Sequence, residues 1–254
     1  MTETYNPESE VITGAEVLYL FALLVSYKDG YRCVFDISDR ITDHIIHQPF
    51  RDNPLFFYDF VIKEYGAAIE WNIEYAADNI RELSVPIGDI LKYIKEQCRK
   101  RITVASDKSD PFAKEKARNR RKTQKLPPFL SDPLGQSLTK AILKPEALAP
   151  SVLKLTYKDG YKCIFDLNEW LSTVSPHPHM QTSTDATDIK LDSWGTNLIC
   201  GSSKISAERL REYSVPLDQI AQWVRDETKK IKDSIQTTYR SEAIPRNPPG
   251  DKRN

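Results

Sequence analysis

Three kinds of side chain in this sequence have the chemistry for a site. The first is a pair of imidazoles, His44 and His47, beside Asp43, whose spacing would put them on one face of a helix. They offer a metal two nitrogen ligands, but a zinc site needs three or four, and the glutamate of a zinc-protease motif is missing. His177 and His179 lie in a Pro-, Ser- and Thr-rich stretch with no further ligand. The second kind is thiol. Cys33 and Cys163 would need exposure and a nearby base to act as nucleophiles. Both fall on alternating apolar stretches, where a buried core thiol is expected instead. Cys98 and Cys200 complete no close metal-type pair. The third kind is carboxylate. Asp36 and Asp166 close two copies of one motif, and an aspartate there ordinarily accepts hydrogen bonds from its own turn. The chain has only 9 glycines, and none cluster into a phosphate-binding loop. The expectation is a protein with no catalytic residue, no cofactor and no metal, and so not an enzyme.

A basic run is the remaining candidate. Lys114, Lys116, Arg118, Arg120, Arg121, Lys122 and Lys125 have the charge to neutralise nucleic-acid phosphates. Only Phe112 and Phe129 flank them, so base stacking has little support. The formal net charge of zero hides an uneven layout. Residues 1–98 hold 8 basic and 17 acidic side chains, a net of −9. Residues 99–125 hold 11 and 3, a net of +8, and residues 126–254 hold 17 and 16, a net of +1. The basic run thus has two other readings, a solvated linker helix or an arm lying on the acidic first domain.

The elements that would position these groups occur twice. Tyr27-Lys28-Asp29-Gly30-Tyr31-Arg32-Cys33-Val34-Phe35-Asp36 returns 130 residues later as Tyr157-Lys158-Asp159-Gly160-Tyr161-Lys162-Cys163-Ile164-Phe165-Asp166. Asp-Gly between alternating runs signals a β-hairpin. A three-residue loop pairs Tyr27 with Tyr31 and gathers Leu23, Val25, Tyr27, Tyr31, Cys33 and Phe35 on one face. A two-residue loop mixes polar with apolar, so the longer loop is expected. A second hairpin is expected from Phe57–Glu64, a turn at Tyr65-Gly66, and Ala67–Trp71. Its counterpart runs from Ile189 to Cys200, with a one-residue indel between the copies. Pro86 and Pro216 suit the first turn of a closing helix. Ile87, Ile90, Leu91 and Ile94, and then Leu217, Ile220, Ala221 and Val224, mark its apolar stripe.

The expected fold is α+β: two tandem repeats, each of two β-hairpins and a closing helix, joined by a basic, partly helical connector. The boundaries are a disordered N-terminus over 1–11, the first repeat over 12–98, the connector over 99–141, the second repeat over 142–238 and a disordered tail over 239–254. The stripe of the second helix continues to Ile231 and Ile235 and needs a cover. The other repeat is the natural one, which would make the pair an intramolecular pseudo-dimer. The N-terminus is polar and acidic, without a secretory pattern, and the longest apolar run, Val17–Val25, is far below the ~20 residues of a membrane helix. A soluble cytoplasmic protein with no membrane partner is expected.

Each copy resembles the bacterial family known as domain of unknown function 2442. The resemblance rests on Asp29-Gly30, Asp36, Trp71 and Asp78-Asn79-Ile80, and on Asp159-Gly160, Asp166 and Glu208-Arg209-Leu210. The second copy departs by carrying Cys200 where Trp71 stands. The resemblance implies a compact α+β fold in the bacterial cytosol and carries no activity, cofactor or catalytic residue. The functional expectation is a non-catalytic protein–protein interaction module, a subunit or accessory factor of a larger complex. Its contact surfaces would be the closing helices and the divergent segments 38–56 and 168–187. The alternative is an accessory protein that binds RNA or DNA through residues 99–125.

Overall fold

The computed structural model describes residues 10–43, 45–107, 140–174, 189–200 and 203–242. The chain is mixed α+β with several small sheets. Contacts divide it into two compact units. The first holds the described residues up to Asp89 and those from Ala221 onward, and the second spans Ile90–Ile220. The divisions fall inside the two longest helices.

In the first unit, β1 (Ile12–Tyr19), β2 (Ala22–Tyr27) and β3 (Arg32–Asp36) form an antiparallel meander, and β7 (Val85–Pro86) adds to the far edge of β3. The β2–β3 register is Val25 opposite Cys33 and Leu23 opposite Phe35. Tyr27 N–H donates to Tyr31 O at 2.8 Å across the three-residue loop, and Gly30 takes φ +84°. The clean apolar face therefore selected the register, because a slip of one residue would turn every side chain over. That face packs into a core with Phe50, Phe57, Ile69, Trp71 and Ile80. The opposite face is also buried, through Leu24 and Val34. A strand covered on both sides reads as a continuous apolar run, which accounts for Ala22–Val25 of β2.

After β3 the chain forms α1 (Ser38–Asp43), a 3-10 turn (Ile45–His47), α2 (Gln48–Asp52) and a second 3-10 turn (Pro54–Tyr58). A small sheet follows, of β4 (Val61–Ile62), β5 (Ala68–Glu70) and β6 (Glu74–Ala76). Then come α3 (Ala77–Glu82), β7 and α4 (Ile87–Asp107). Two expectations are corrected here. Phe57 and Tyr58 are not strand: Pro54 starts a 3-10 turn, capped where the Asn53 side chain accepts from Leu55 N–H at 3.2 Å. Pro86 is not in the helix. It is the last strand residue, opposite Cys33 on the sheet edge, where a missing N–H is tolerated.

The second unit carries the sheet β8 (Ile142–Ala149), β9 (Val152–Tyr157), β10 (Lys162–Asp166) and β14 (Val215–Pro216), paired in that order. Its helix α5 spans Leu167–Val174, and its small sheet is β11 (Ile189–Leu191), β12 (Asn197–Cys200) and β13 (Ser203–Ser206). Helix α6 (Ala207–Tyr213) precedes β14, and α7 (Leu217–Glu242) follows it. Leu155 stands opposite Cys163, and Gly160 takes φ +81°. Both small sheets thus have a third strand, β6 and β13, beyond the expected hairpin. Ile102 of α4 joins the core of this unit, among Leu155, Phe165 and Leu210. Val224 and Thr228 of α7 are buried, and Lys232 of α7 pairs with Asp39 in the first unit.

Among the described residues, no helix is long and apolar enough to cross a membrane.

Candidate functional site

Those of the chemically notable residues that the structure describes are occupied in holding the fold. Asp29 accepts from Tyr31 N–H at 2.9 Å and pairs with Arg81 at 2.8 Å, and the Arg81 guanidinium lies 4.2 Å from the centre of the Tyr31 ring. Asp159 pairs with Arg211 in the same way, with that guanidinium 4.0 Å from the Tyr161 ring centre. Tyr27 Oη donates to Ala77 O at 2.8 Å, and Tyr157 Oη to Ala207 O at 2.9 Å. Each hairpin turn is therefore tied to the helix that precedes β7 or β14. Cys33, Cys98, Cys163 and Cys200 are all buried. Burial pushes Cys33 and Cys163 up to about 11 and Cys98 up to about 12, so these three stay protonated thiols at neutral pH. His47 is buried and shares a 2.5 Å hydrogen bond between Nε2 and Tyr75 Oη. His44, His177 and His179 lie outside the described residues, as do Lys114, Lys116, Arg118, Arg120, Arg121, Lys122 and Lys125. Among the described residues, no three His, Cys, Asp or Glu side chains gather as metal ligands would.

Two features of the first unit stand out among the described residues. One is a segment rich in exposed apolar side chains. Ile45, Ile46, Leu55, Tyr58, Val61 and Tyr65 all point to solvent, with Ile45 78% and Tyr65 89% exposed. The segment carrying them is anchored from within. Phe50 and Phe57 are fully buried, and the Phe57 ring stacks on Trp71 with centroids 5.2 Å apart. Trp71 Nε1–H donates to Phe57 O at 2.9 Å. Tyr65 sits at φ +62°, a left-handed backbone that costs a bulky side chain roughly 1–3 kcal/mol.

The other feature is a cleft of about 420 Å³ between the C-terminal end of β3 and α7. Asp36 and Asp39 line one side, and Arg225, Asp226, Thr228, Lys229, Lys232, Asp233 and Gln236 the other. The helical residues are mostly three or four apart, which sets them on one face. Asp36 is buried, accepting from Tyr19 Oη at 2.9 Å and Ser38 N–H at 2.7 Å. Burial raises the Tyr19 phenol, and the Asp36 charge raises it further, so it remains a donor. Asp39 pairs with Lys232, and Arg225 donates to Gln222 Oε1 at 3.1 Å. The Thr228 hydroxyl is buried and has no hydrogen-bond partner among the described residues. Such a group is an exception that calls for an explanation.

No family model, curated protein or solved structure matches this chain. The two features therefore stand on geometry alone.

In the second unit, Asp166 at the end of β10 accepts from Asn168 N–H at 2.9 Å and Glu169 N–H at 3.2 Å. Arg99 of α4 holds the Glu169 carboxylate through Nε at 2.9 Å and Nη2 at 3.2 Å, and Lys95 Nζ lies 3.3 Å away. Burial alone would raise Glu169, but these two cations outweigh it and hold its carboxyl below the usual value. Burial raises Asp166. Sequence reasoning expected Asp36 and Asp166 to accept from their own turns, and Ser38 and Asn168 N–H do donate to them. It missed the neighbouring acids Asp39 and Glu169, whose partners Lys232, Lys95 and Arg99 lie on helices far away in the sequence, so no local spacing joins them. The one available signal was polar Thr228 and Cys98 falling on the apolar stripe.

Proposed function

We propose that this protein is a non-catalytic protein–protein interaction module, built as a tandem duplication and acting as a subunit or accessory factor of a larger complex. The observation that carries the reading is the run of exposed apolar side chains from Ile45 to Tyr65 on an anchored segment. Single exposed apolar residues are common, but six within one short stretch support a contact surface there. The aromatic anchor beneath them favours binding, because an ordered surface loses little entropy when a partner docks.

The duplication half of the proposal is supported by matching details. Both four-stranded sheets have the same order and registers, and β1 and β8 carry register shifts at equivalent places. Each unit then combines the sheets of one repeat with the closing helix of the other. The resemblance of each repeat to domain of unknown function 2442, and a bacterial cytoplasmic setting, belong to the same proposal. The likeness in hairpin, turn and closing element supports them.

The test is a tagged purification from the native cell, split into nuclease-treated and untreated halves, with parent chain and an Ile45→Ser/Leu55→Ser/Tyr65→Ser variant. These positions are exposed, so the variant should melt within a few degrees of the parent. The expected result is a near-stoichiometric protein partner that survives nuclease and is lost with the variant. Recovery of RNA or DNA, with proteins released by nuclease, would overturn the proposal. That result would favour binding through residues 99–125, and changing Arg118, Arg120, Arg121 and Lys122 to Ala would then abolish it.

A further inference from the structure

The residues around the cleft beside Asp36 have sequence counterparts in the second unit whose pairing is known. On the duplication reading, Asp36 matches Asp166, Asp39 matches Glu169, Arg225 matches Lys95 and Lys229 matches Arg99, each 130 residues apart. In the second unit the two cations grip a carboxylate supplied from within, that of Glu169, which is only 5% exposed. In the first unit the matching acid is one methylene shorter and pairs with Lys232, a residue that matches apolar Ile102. Arg225 turns to Gln222 along its own helix, and Lys229 is exposed with no ion pair among the described residues. Asp39, which matches Glu169, lines this cleft.

The remaining lining narrows the ligand class. Four carboxylates, Asp36, Asp39, Asp226 and Asp233, face three cations, Arg225, Lys229 and Lys232. A polyanion such as a nucleotide would meet uncompensated repulsion there, while a molecule with one carboxylate and one ammonium would meet a partner for each charge. The Thr228 hydroxyl is 2% exposed, lines the cleft and lacks a partner, so it has a donor and lone pairs to offer. At about 420 Å³ the cleft is at the small end of ligand sites.

We propose that this cleft binds a small zwitterion of the free amino-acid class, with its carboxylate received by Arg225 and Lys229, its ammonium facing the aspartates, and Thr228 hydrogen-bonded to it. The site is independent of the Ile45–Tyr65 surface. It rests on the duplication reading only through the comparison with Glu169.

The experiment is calorimetric titration and thermal melting of the full chain with individual amino acids, succinate and inorganic phosphate. At least one amino acid should bind saturably and raise the melting temperature by about 5 °C at ~100 Kd. Lys229→Ala and Arg225→Ala should each weaken binding at least about tenfold, the scale of a charge-assisted hydrogen bond. Arg99→Ala, in the second unit, should leave affinity unchanged. Stabilisation by phosphate alone, no binding by any amino acid, or binding that survives Lys229→Ala would each overturn the proposal. Asp39→Glu separates the site from the duplication. It rebuilds the Glu169 arrangement, so it should abolish binding and raise the unliganded melting temperature. Ligand binding unaffected by Asp39→Glu would sink the comparison with Glu169 and leave the site standing. A raised melting temperature without any ligand binding would do the reverse.

Discussion

Gly66 and Gly195 are the positions where a single methyl group would meet main chain. A Cβ on Gly66 would lie 2.2 Å from Ile12 O, and one on Gly195 would lie 2.2 Å from Ile142 O. Both glycines also have positive φ, +71° and +68°. Gly30 shares the positive φ, +84°, but has nothing within 4 Å of its missing Cβ. The two sites thus separate backbone strain from steric contact. Gly30→Ala should cost about 1–2 kcal/mol, the price of a left-handed alanine. Gly66→Ala should cost about 3 kcal/mol or more, since the small sheet must move away from β1. Urea unfolding of both variants decides this, and equal losses would show that the close approach contributes nothing. Gly30 was legible in the sequence because turn chemistry is local. The importance of Gly66 was not, because its neighbour Ile12 is remote in sequence.

At the scale of elements, α4 and α5 are joined by one buried acid. Glu169 opens α5, and Lys95 and Arg99 reach it from α4. Its carboxyl is held below the usual value, so it contributes stability that is full above the unfolded value of about 4.3 and is lost as pH falls through the lower folded value. Asp166, whose carboxyl is raised, acts in the opposite sense: its contribution is full at low pH and is lost as pH rises through its folded value. Glu169→Gln should therefore be less stable than the parent by about 1–3 kcal/mol at pH 7, with the gap closing below about pH 4. Chemical denaturation at pH 7, 5 and 3 measures it, and a gap that does not change with pH would refute the ion-pair account. The hairpins and long helices were readable from period and turn residues. The third strands β6 and β13 were not, because runs such as Glu74–Ala76 are too short for a period. Nor was the partnership of α4 with Glu169, since both ends are polar residues that look like solvated surface.

For the whole molecule, the composition of the two units makes a demand on how the chain is cut. Ile90, Ile94, Cys98 and Ile102 are fully buried, and all belong to the unit that carries β8–β14. Val224 and Thr228 are buried in the unit that carries β1–β7. Four buried side chains at roughly 2 kcal/mol each amount to about 8 kcal/mol, comparable to the entire stability of a domain. Neither half of the sequence should therefore fold well without the other's helix. Residues 1–139 and 140–254, expressed separately, should each lack a cooperative thermal transition, and on mixing should form a 1:1 complex that melts like the intact chain. Sedimentation and calorimetry on the two fragments read this directly. A fragment of residues 1–139 that melts cooperatively as a monomer, near the temperature of the full chain, would mean that α4 serves its own sheets in solution. A homodimer of that fragment would mean instead that α4 substitutes for α7. The helix exchange would then persist, but the sequence differences between the stripes, Cys98 against Thr228 and Ile102 against Lys232, would not specify which helix goes where.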